Sequence, residues 1–377
     1  MKRVMISDEQ SDETDDEGEM IKQLKERFHT TTFMDENMID NVVFNQWVSV
    51  DRSTLETVSK PTDDFVESFC EKLELLLPHS FIAMQQTTFY NDCKSTLQPG
   101  ELLITADFSE NYSFILQDAA QGFHWNNSQA TIHPFVVYYI DSGKLCHLSF
   151  VVISDCLHHD TVAVYLFQKH LIAFLKRFPS LPKQTCYFSD GAASQYKNRK
   201  NFINLCHHEE DFGIPAQWHF SATSHGKGAC DGLGGTVKRL AARASLQRPY
   251  DEQVMTARQL FEWASSNIPA VFFEYCSTED YKIEQTHLEE RFQRTQTIPG
   301  TRKLHSFVPV SKHTVKTRVY SSSSLFKEQR VTSRGSELSV EQISGFVTCV
   351  RACFWVHCCQ NITYGYSEDI LHIRILE

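Results

Sequence analysis

The sequence predicts an α/β fold: a mixed five-stranded sheet flanked by helices, with further helices ahead of it and a small β module behind it. Two observations carry this prediction. Between residues 100 and 250, short apolar runs of strand length alternate with longer runs whose apolar residues recur at helical spacing. The hydrophobic fraction is 41%, with 27 Phe and 13 Tyr, so a chain of 377 residues has ample material for a buried core.

The chain opens on an acidic stretch, residues 1–19, where eight carboxylates face only Lys2 and Arg3. That stretch carries −6 of the formal −11, leaving −5 for everything after it. With so little to bury it is predicted to be a disordered tail. Residues 20–98 read as helical. Thr62-Asp63-Asp64 caps a segment with Phe65, Phe69, Leu73 and Leu76 on one face, Pro78 ends it, and a second helix starts at Ser80.

Residues 99–280 form the expected core. Leu102 to Phe108, Thr131 to Ile140 and Leu145 to Ser154 read as strands, the last two joined by a turn at Asp141-Ser142-Gly143. A helix follows from Asp160, with Phe167, Leu171, Phe174, Leu175 and Phe178 on one face and Pro179 at its end. Thr185 to Ser189 is a strand, Phe202 to Phe212 a helix stopped by Gly213, Ala216 to Ala222 a strand, and Gly234 to Leu246 a helix. The order β-β-β-α-β-α-β-α is RNase H-like: a mixed five-strand sheet covered on both faces. Residues 281–340, rich in Arg, Lys, Ser and Thr, are expected to be a solvated linker. Residues 341–377 are expected to be a small β module with an abbreviated ending.

No run of about 18 apolar residues occurs, and the N-terminus is acidic where a signal peptide would be basic and then apolar, so no membrane segment is expected. The twelve cysteines are scattered and include no CxxC pair, and Cys349, Cys353, Cys358 and Cys359 lack zinc-ribbon spacing. Reduced thiols are the expectation.

Three aspartates carry the chemistry. Asp107 closes the apolar run Leu102 to Phe108, and Asp190 closes Tyr187-Phe188-Ser189 just ahead of Gly191-Ala192. A carboxylate in such a setting is costly unless a cation meets it. In the expected strand order the two lie on neighbouring strands, where they repel each other unless neutralised. Asp231 sits in Gly228-Ala229-Cys230-Asp231-Gly232, a glycine-rich entry to a helix that does not match a phosphate-binding GxxxxGK[ST] loop. The spacings, 83 positions from Asp107 to Asp190 and 41 from there to Asp231, leave room for the intervening elements. Such a trio would ligate two Mg²⁺ or Mn²⁺ ions for phosphodiester chemistry. Glu110 and His225 are candidate supporting groups. Lys197, Arg199, Lys200, Lys227, Lys238 and Arg239 are candidate phosphate contacts.

The blocks DFSENY (107–112), GFHWNN (122–127), FSDGAASQYKNRKNFINLCHHEEDFG (188–213) and HGKGACDGLGGTVKR (225–239) resemble a group of transposon-derived proteins abundant in invertebrate genomes. The resemblance spans roughly residues 45 to 275. It implies a transposase-type DDE/D core, action in the nucleus and a DNA partner, either transposon ends or chromatin, with Asp107, Asp190 and Asp231 as the catalytic, metal-binding acids. A homo-oligomer is compatible with it. No zinc-finger spacing or clear helix-turn-helix precedes the core, so the alternative expectation is an inactive, domesticated remnant that binds DNA or chromatin without cutting.

Overall fold

The computed structural model describes residues 40–49, 53–115, 128–178, 182–223, 228–249 and 252–332. The acidic tail, the four cysteines from 349 to 359 and the expected module at 341–377 lie outside them. The chain divides into two compact units, one containing the described residues up to Phe81 and the other running from Ile82.

The first unit departs from the all-helical expectation. Strands β1 (Asn41–Ser49) and β2 (Ser53–Pro61) form an antiparallel hairpin, in register from Asn41 opposite Pro61 to Ser49 opposite Ser53. The β-branched and aromatic residues of Asn41-Val-Val-Phe and Gln46-Trp-Val suit a pleated surface better than a helix. Helix α1 (Thr62–Ser95) then runs as one piece through Pro78. Proline removes one N–H and one hydrogen bond, but its fixed φ is helical, so a 34-residue helix accommodates it. Phe44 meets Phe65 at 5.0 Å between ring centres, and with Val66 and Cys70 these form the small core of this unit.

The second unit is built on a ten-stranded mixed sheet with helices against both faces. Its centre is a meander. Strands β3 (Glu101–Ala106), β5 (Gln129–Asp141) and β6 (Lys144–Ser154) pair antiparallel in sequence, while β4 (Tyr112–Ser113) pairs with the start of β5. The β5–β6 connection is a two-residue turn in which Ser142 and Gly143 both take positive φ, 49° and 74°. This is the hairpin turn whose twist matches that of the strands. Strand β7 (Gln184–Ser189) lies parallel to β3, and β8 (Ala216–Phe220) parallel to β7.

Period-two alternation assigns the faces. Leu102, Ile104, Phe135, Val137, Phe150 and Val152 point into a core shared with helices α2 (Thr161–Leu175), α3 (Arg199–Phe212) and α6 (Thr278–Gln293). Ala130, Ile132, Val151 and Ile153 point the other way, against α4 (Ala229–Leu246) and α5 (Ala257–Asn267). Asp160 and Asn198 cap α2 and α3 by accepting from two backbone N–H groups each, and Gly213 ends α3 at φ 74°. No helix among the described residues is long and apolar enough to cross a membrane.

The sheet exceeds the expected five strands because both of its edges are extended. Strand β9 (Val271–Cys276) adds parallel to β6. On the other side β10 (Ser306–Ser311) adds antiparallel to β8, followed by β11 (Thr314–Arg318) and β12 (Lys327–Arg330). Residues 281–340 are therefore no linker over their described part. Basic and hydroxyl side chains mask an alternating pattern in which Phe307, Val315 and Thr317 are buried. Helix α6 is tied down too, since Arg291 grips Asp211 of α3 with both guanidinium nitrogens, at 2.7 and 2.9 Å.

Phe307 is fully buried and stacks on Phe202 at 4.0 Å. Phe307→Ala should cost about 3–5 kcal/mol in urea unfolding, as for a core aromatic. A residue in a solvated linker would cost no more than about 0.5 kcal/mol.

Candidate acidic site

Asp107 and Asp190 follow directly on β3 and β7. The parallel register sets Thr105 opposite Phe188, so the next residues but one, Asp107 and Asp190, emerge side by side at the same end of the sheet. Strand β3 stops at Ala106, one residue short of the acid rather than running through it to Phe108. The Ala192 N–H donates to Asp190 Oδ1 at 3.1 Å. Beneath, Trp218 Nε1 donates to Ser189 Oγ at 2.9 Å, fixing the strand end that presents Asp190.

Asp231 comes from the first turn of α4, which begins at Ala229 and so starts five residues earlier than its sequence pattern suggested. Its Oδ2 accepts from the Gly228 N–H at 2.8 Å, making it a cap of its own helix. Two contacts bring this helix against β3. The buried Cys230 thiol donates to the Thr105 carbonyl at 3.3 Å. Gly234 lies directly on the loop after Asp107, where a Cβ would sit 1.9 Å from Ser109 Oγ and 3.2 Å from Ser109 Cβ. A side chain there would drive the Ser109 hydroxyl out of its place and crowd its Cβ.

The three carboxylates share one field. Burial pushes Asp107 up from 3.8 to about 7, with added repulsion from Asp190 and then Asp231. Asp190 is also raised, chiefly by burial and by Asp231, against the pull of the Ala192 N–H and Lys197. The Cys230 thiol is pushed up by burial and by Asp107. Hard oxygen donors that repel one another fit a divalent cation chemically. The side chains do not close into a cage, however: among the described residues no group of three or more His, Cys, Asp or Glu is gathered tightly enough to hold a metal ion. Asp107 and Asp190 stand together, while Asp231 lies within electrostatic range and is turned to its capping bond.

The other candidates are distributed unevenly. Lys197 is only 8% exposed, which removes it from the set of free phosphate contacts. Its Nζ donates to the Arg302 carbonyl at 3.2 Å, its chain packs where Gly191 has no side chain, and burial pushes its pKa down to about 8 while Asp190 holds it up. Arg199 and Lys200 are exposed on the first turn of α3, beside Asp160, Thr161 and Ser194, around a cavity of about 250 Å³. Glu110 is exposed next to half-buried Lys238, and Arg239 is exposed with a bond to Thr236. His225 and Lys227 lie outside the described residues. His208 is in the core, bonded to Tyr187 and to the Ile214 carbonyl.

Sequence reasoning missed the layer beneath the acids. Fully buried Tyr196 bonds His133 Nε2 at 2.8 Å, and its hydroxyl pKa is pushed up by burial and by Asp107 and Asp190. His133 is held neutral, with its pKa near 3, by burial and the nearby His159. Asn111 pairs with His159 at 2.7 Å and Thr131 at 3.1 Å. Asn111 and Tyr196 stand inside the DFSENY and FSDGAASQYK blocks, but nothing in their local pattern distinguishes them from ordinary core residues.

Residues 86–321, more than half of the chain, match the family described as Domain of unknown function (DUF8701). The chain belongs to the DUF8701 family. The match spans the sheet from the meander to β11 and contains all three aspartates. Residues 18–77 match a second family, Domain of unknown function (DUF8700). No curated protein matches the chain. Among solved structures, the crystal structure of NurA bound to dAMP and manganese aligns over 60% of this chain and 46% of that one, at 9% identity and a TM-score of 0.16. A TM-score that low carries no information on the fold.

Because the DUF8701 unit retains a proton on Asp107 where the unfolded chain has lost it, metal-free stability should fall as pH rises from about 4 to about 7. Asp107→Asn should flatten that slope in thermal unfolding and leave the protein more stable than wild type at pH 8. Gly234→Ala should cost about 1–3 kcal/mol through overpacking, and adding Ser109→Ala should restore part of the loss. Equal stability of the two variants would mean that the helix does not rest on Ser109.

Proposed function

We propose that the DUF8701 unit is an RNase H-like, transposase-derived domain that cuts or transfers DNA phosphodiester bonds with Mg²⁺ or Mn²⁺. The observation that carries this reading is the placement of Asp107 and Asp190 side by side on two parallel strand ends, with no cationic side chain among the described residues hydrogen-bonded to either carboxylate. The order β8-β7-β3-β5-β6 within the larger sheet supports it, since an antiparallel meander followed by two parallel strands on its first edge is the RNase H-like arrangement.

When bound, the metal would polarise the phosphate and activate a water or a 3′-hydroxyl. Asp107 and Asp190 would hold it through hard oxygen ligands. Asp231 would join them by giving up its bond to the Gly228 N–H, at a cost of about 1 kcal/mol for a capping interaction. Exposed Arg199, Lys200 and Arg239, with Lys238 beside Glu110, supply charge for the DNA backbone. DNA, as transposon ends or chromatin, is the proposed partner, and the nucleus the proposed site of action.

A second reading is favoured by one specific observation: Asp231 is engaged as a helix cap and the three acids form no cage among the described residues. It describes a remnant that binds DNA or chromatin without cutting. Incubating the purified chain with DNA and Mg²⁺ or Mn²⁺ separates the two. Activity that falls by about 10² or more in Asp190→Asn supports catalysis. Equal activity in both proteins removes Asp190 from the mechanism, and DNA binding without any cleavage selects the remnant.

A further inference from the structure

One row of paired residues crosses the sheet from β7 to β11: Phe188, His219, Ser306 and Arg318. Arg318 therefore stands at the end of the sheet where Asp190, two residues after Phe188, emerges. Three strand spacings separate them, about 14 Å. Lys316 shares the face of β11 that carries Arg318, while Val315 and Thr317 turn into the core. Phe326, the residue before β12, lies against both cations, its ring centre 4.2 Å from Lys316 Nζ and 5.9 Å from Arg318 Cζ. The ring is nevertheless 48% exposed. From Arg302 to Arg330 the chain has seven Lys and Arg against a single acid, Glu328. Lys312 pairs with Glu210. Glu328 stands opposite Lys316 in register, yet neither Lys316 nor Arg318 is ion-paired to a carboxylate among the described residues.

We propose that Phe326, flanked by Lys316 and Arg318, is a base-stacking platform for single-stranded DNA. A nucleotide has a flat apolar base and an anionic phosphate, and an open ring with two cations beside it offers a partner for each. Base faces are hidden inside a duplex, so the ligand is a strand whose bases are free. An apolar protein surface fits less well, because docking it would desolvate two cations with no opposite charge to meet them. A polyanion brings that charge with it. The choice of DNA rests on the proposed action of Asp107 and Asp190 on DNA, since the platform faces the same end of the sheet and would hold the strand that runs on from the acids. Stacking itself needs neither metal nor cutting.

The test measures binding of the full-length chain to labelled oligothymidylate by fluorescence anisotropy, in EDTA, beside a duplex and an oligouridylate of the same length. The single DNA strand should bind most tightly. Phe326→Ala should weaken it about tenfold, as for one lost stacking contact. Lys316→Gln with Arg318→Gln should lower the slope of log affinity against log salt by about 1.4, for two phosphates released. Phe326→Trp should keep the affinity, and its added indole should be quenched by the oligonucleotide beyond any change in wild type. Should Phe326→Ala melt early by circular dichroism, that quenching decides instead. No binding, equal affinity of wild type and a folded Phe326→Ala, an unquenched indole, or tighter binding of the duplex overturns the platform, and tighter binding of oligouridylate overturns the assignment to DNA. The two proposals fail separately. Cleavage that depends on Asp190 with binding indifferent to Phe326 removes the platform alone, and Phe326-dependent binding without cleavage removes only the catalytic reading.

Discussion

Two carboxylates that repel each other are held side by side in this protein by backbone hydrogen bonds in which neither takes part. The parallel ladder between β3 and β7 has five registered pairs, and the acids simply leave its end together. Ladder pairing and the apolar burial of Leu103, Ile104, Tyr187 and Phe188 stabilise the strands whatever the acids cost. Burial first, and repulsion by Asp190 after it, then push the Asp107 carboxyl up to about 7, so that it holds its proton near neutrality. Strain of this kind survives only where the surroundings over-determine the geometry, which is why it clusters at sites that do chemistry.

The rest of the site is arranged by close approach and not by further charge. Helix α4 rests on the loop after β3 through Gly234, whose missing side chain leaves room for Ser109. On the other flank Lys197 fills the space left by Gly191 and supplies a buried ammonium that Asp190 senses, at the expense of its own solvation. Tyr196 and His133 form a neutral polar floor between the acids and the apolar core. It pairs the Tyr196 hydroxyl with His133 Nε2 without adding a second charge to a crowded site.

Much of the centre was legible in the sequence because it rests on local signals. The Ser142-Gly143 turn, the capped helix at Asp160, and the two strands ending in Asp107 and Asp190 each announce themselves within a dozen residues. What could not be read depends on distant partners. Strand β10 becomes a strand by pairing His219 and Trp218 with residues nearly ninety positions later, and its basic, hydroxyl-rich neighbourhood imitates a linker. Pro78 looked like a stop because its cost was weighed without the long helix on either side. Lys197 looked like a phosphate contact because charge is visible in a sequence and burial is not. The pairing of Asp107 with Asp190 followed from strand order, whereas the capping bond of Asp231 depends on a rotamer that spacing does not reveal.

The last strand of the sheet has a consequence for the protein among its neighbours. Strand β12 reads Lys327-Glu328-Gln329-Arg330, so the outermost edge on that side among the described residues carries three charges in four residues. An edge of this composition resists the addition of a strand from another molecule, because a newcomer would have to desolvate those charges to reach the backbone. The segment that resembles a loose tether thus also acts as a guard against aggregation at this edge of the described sheet.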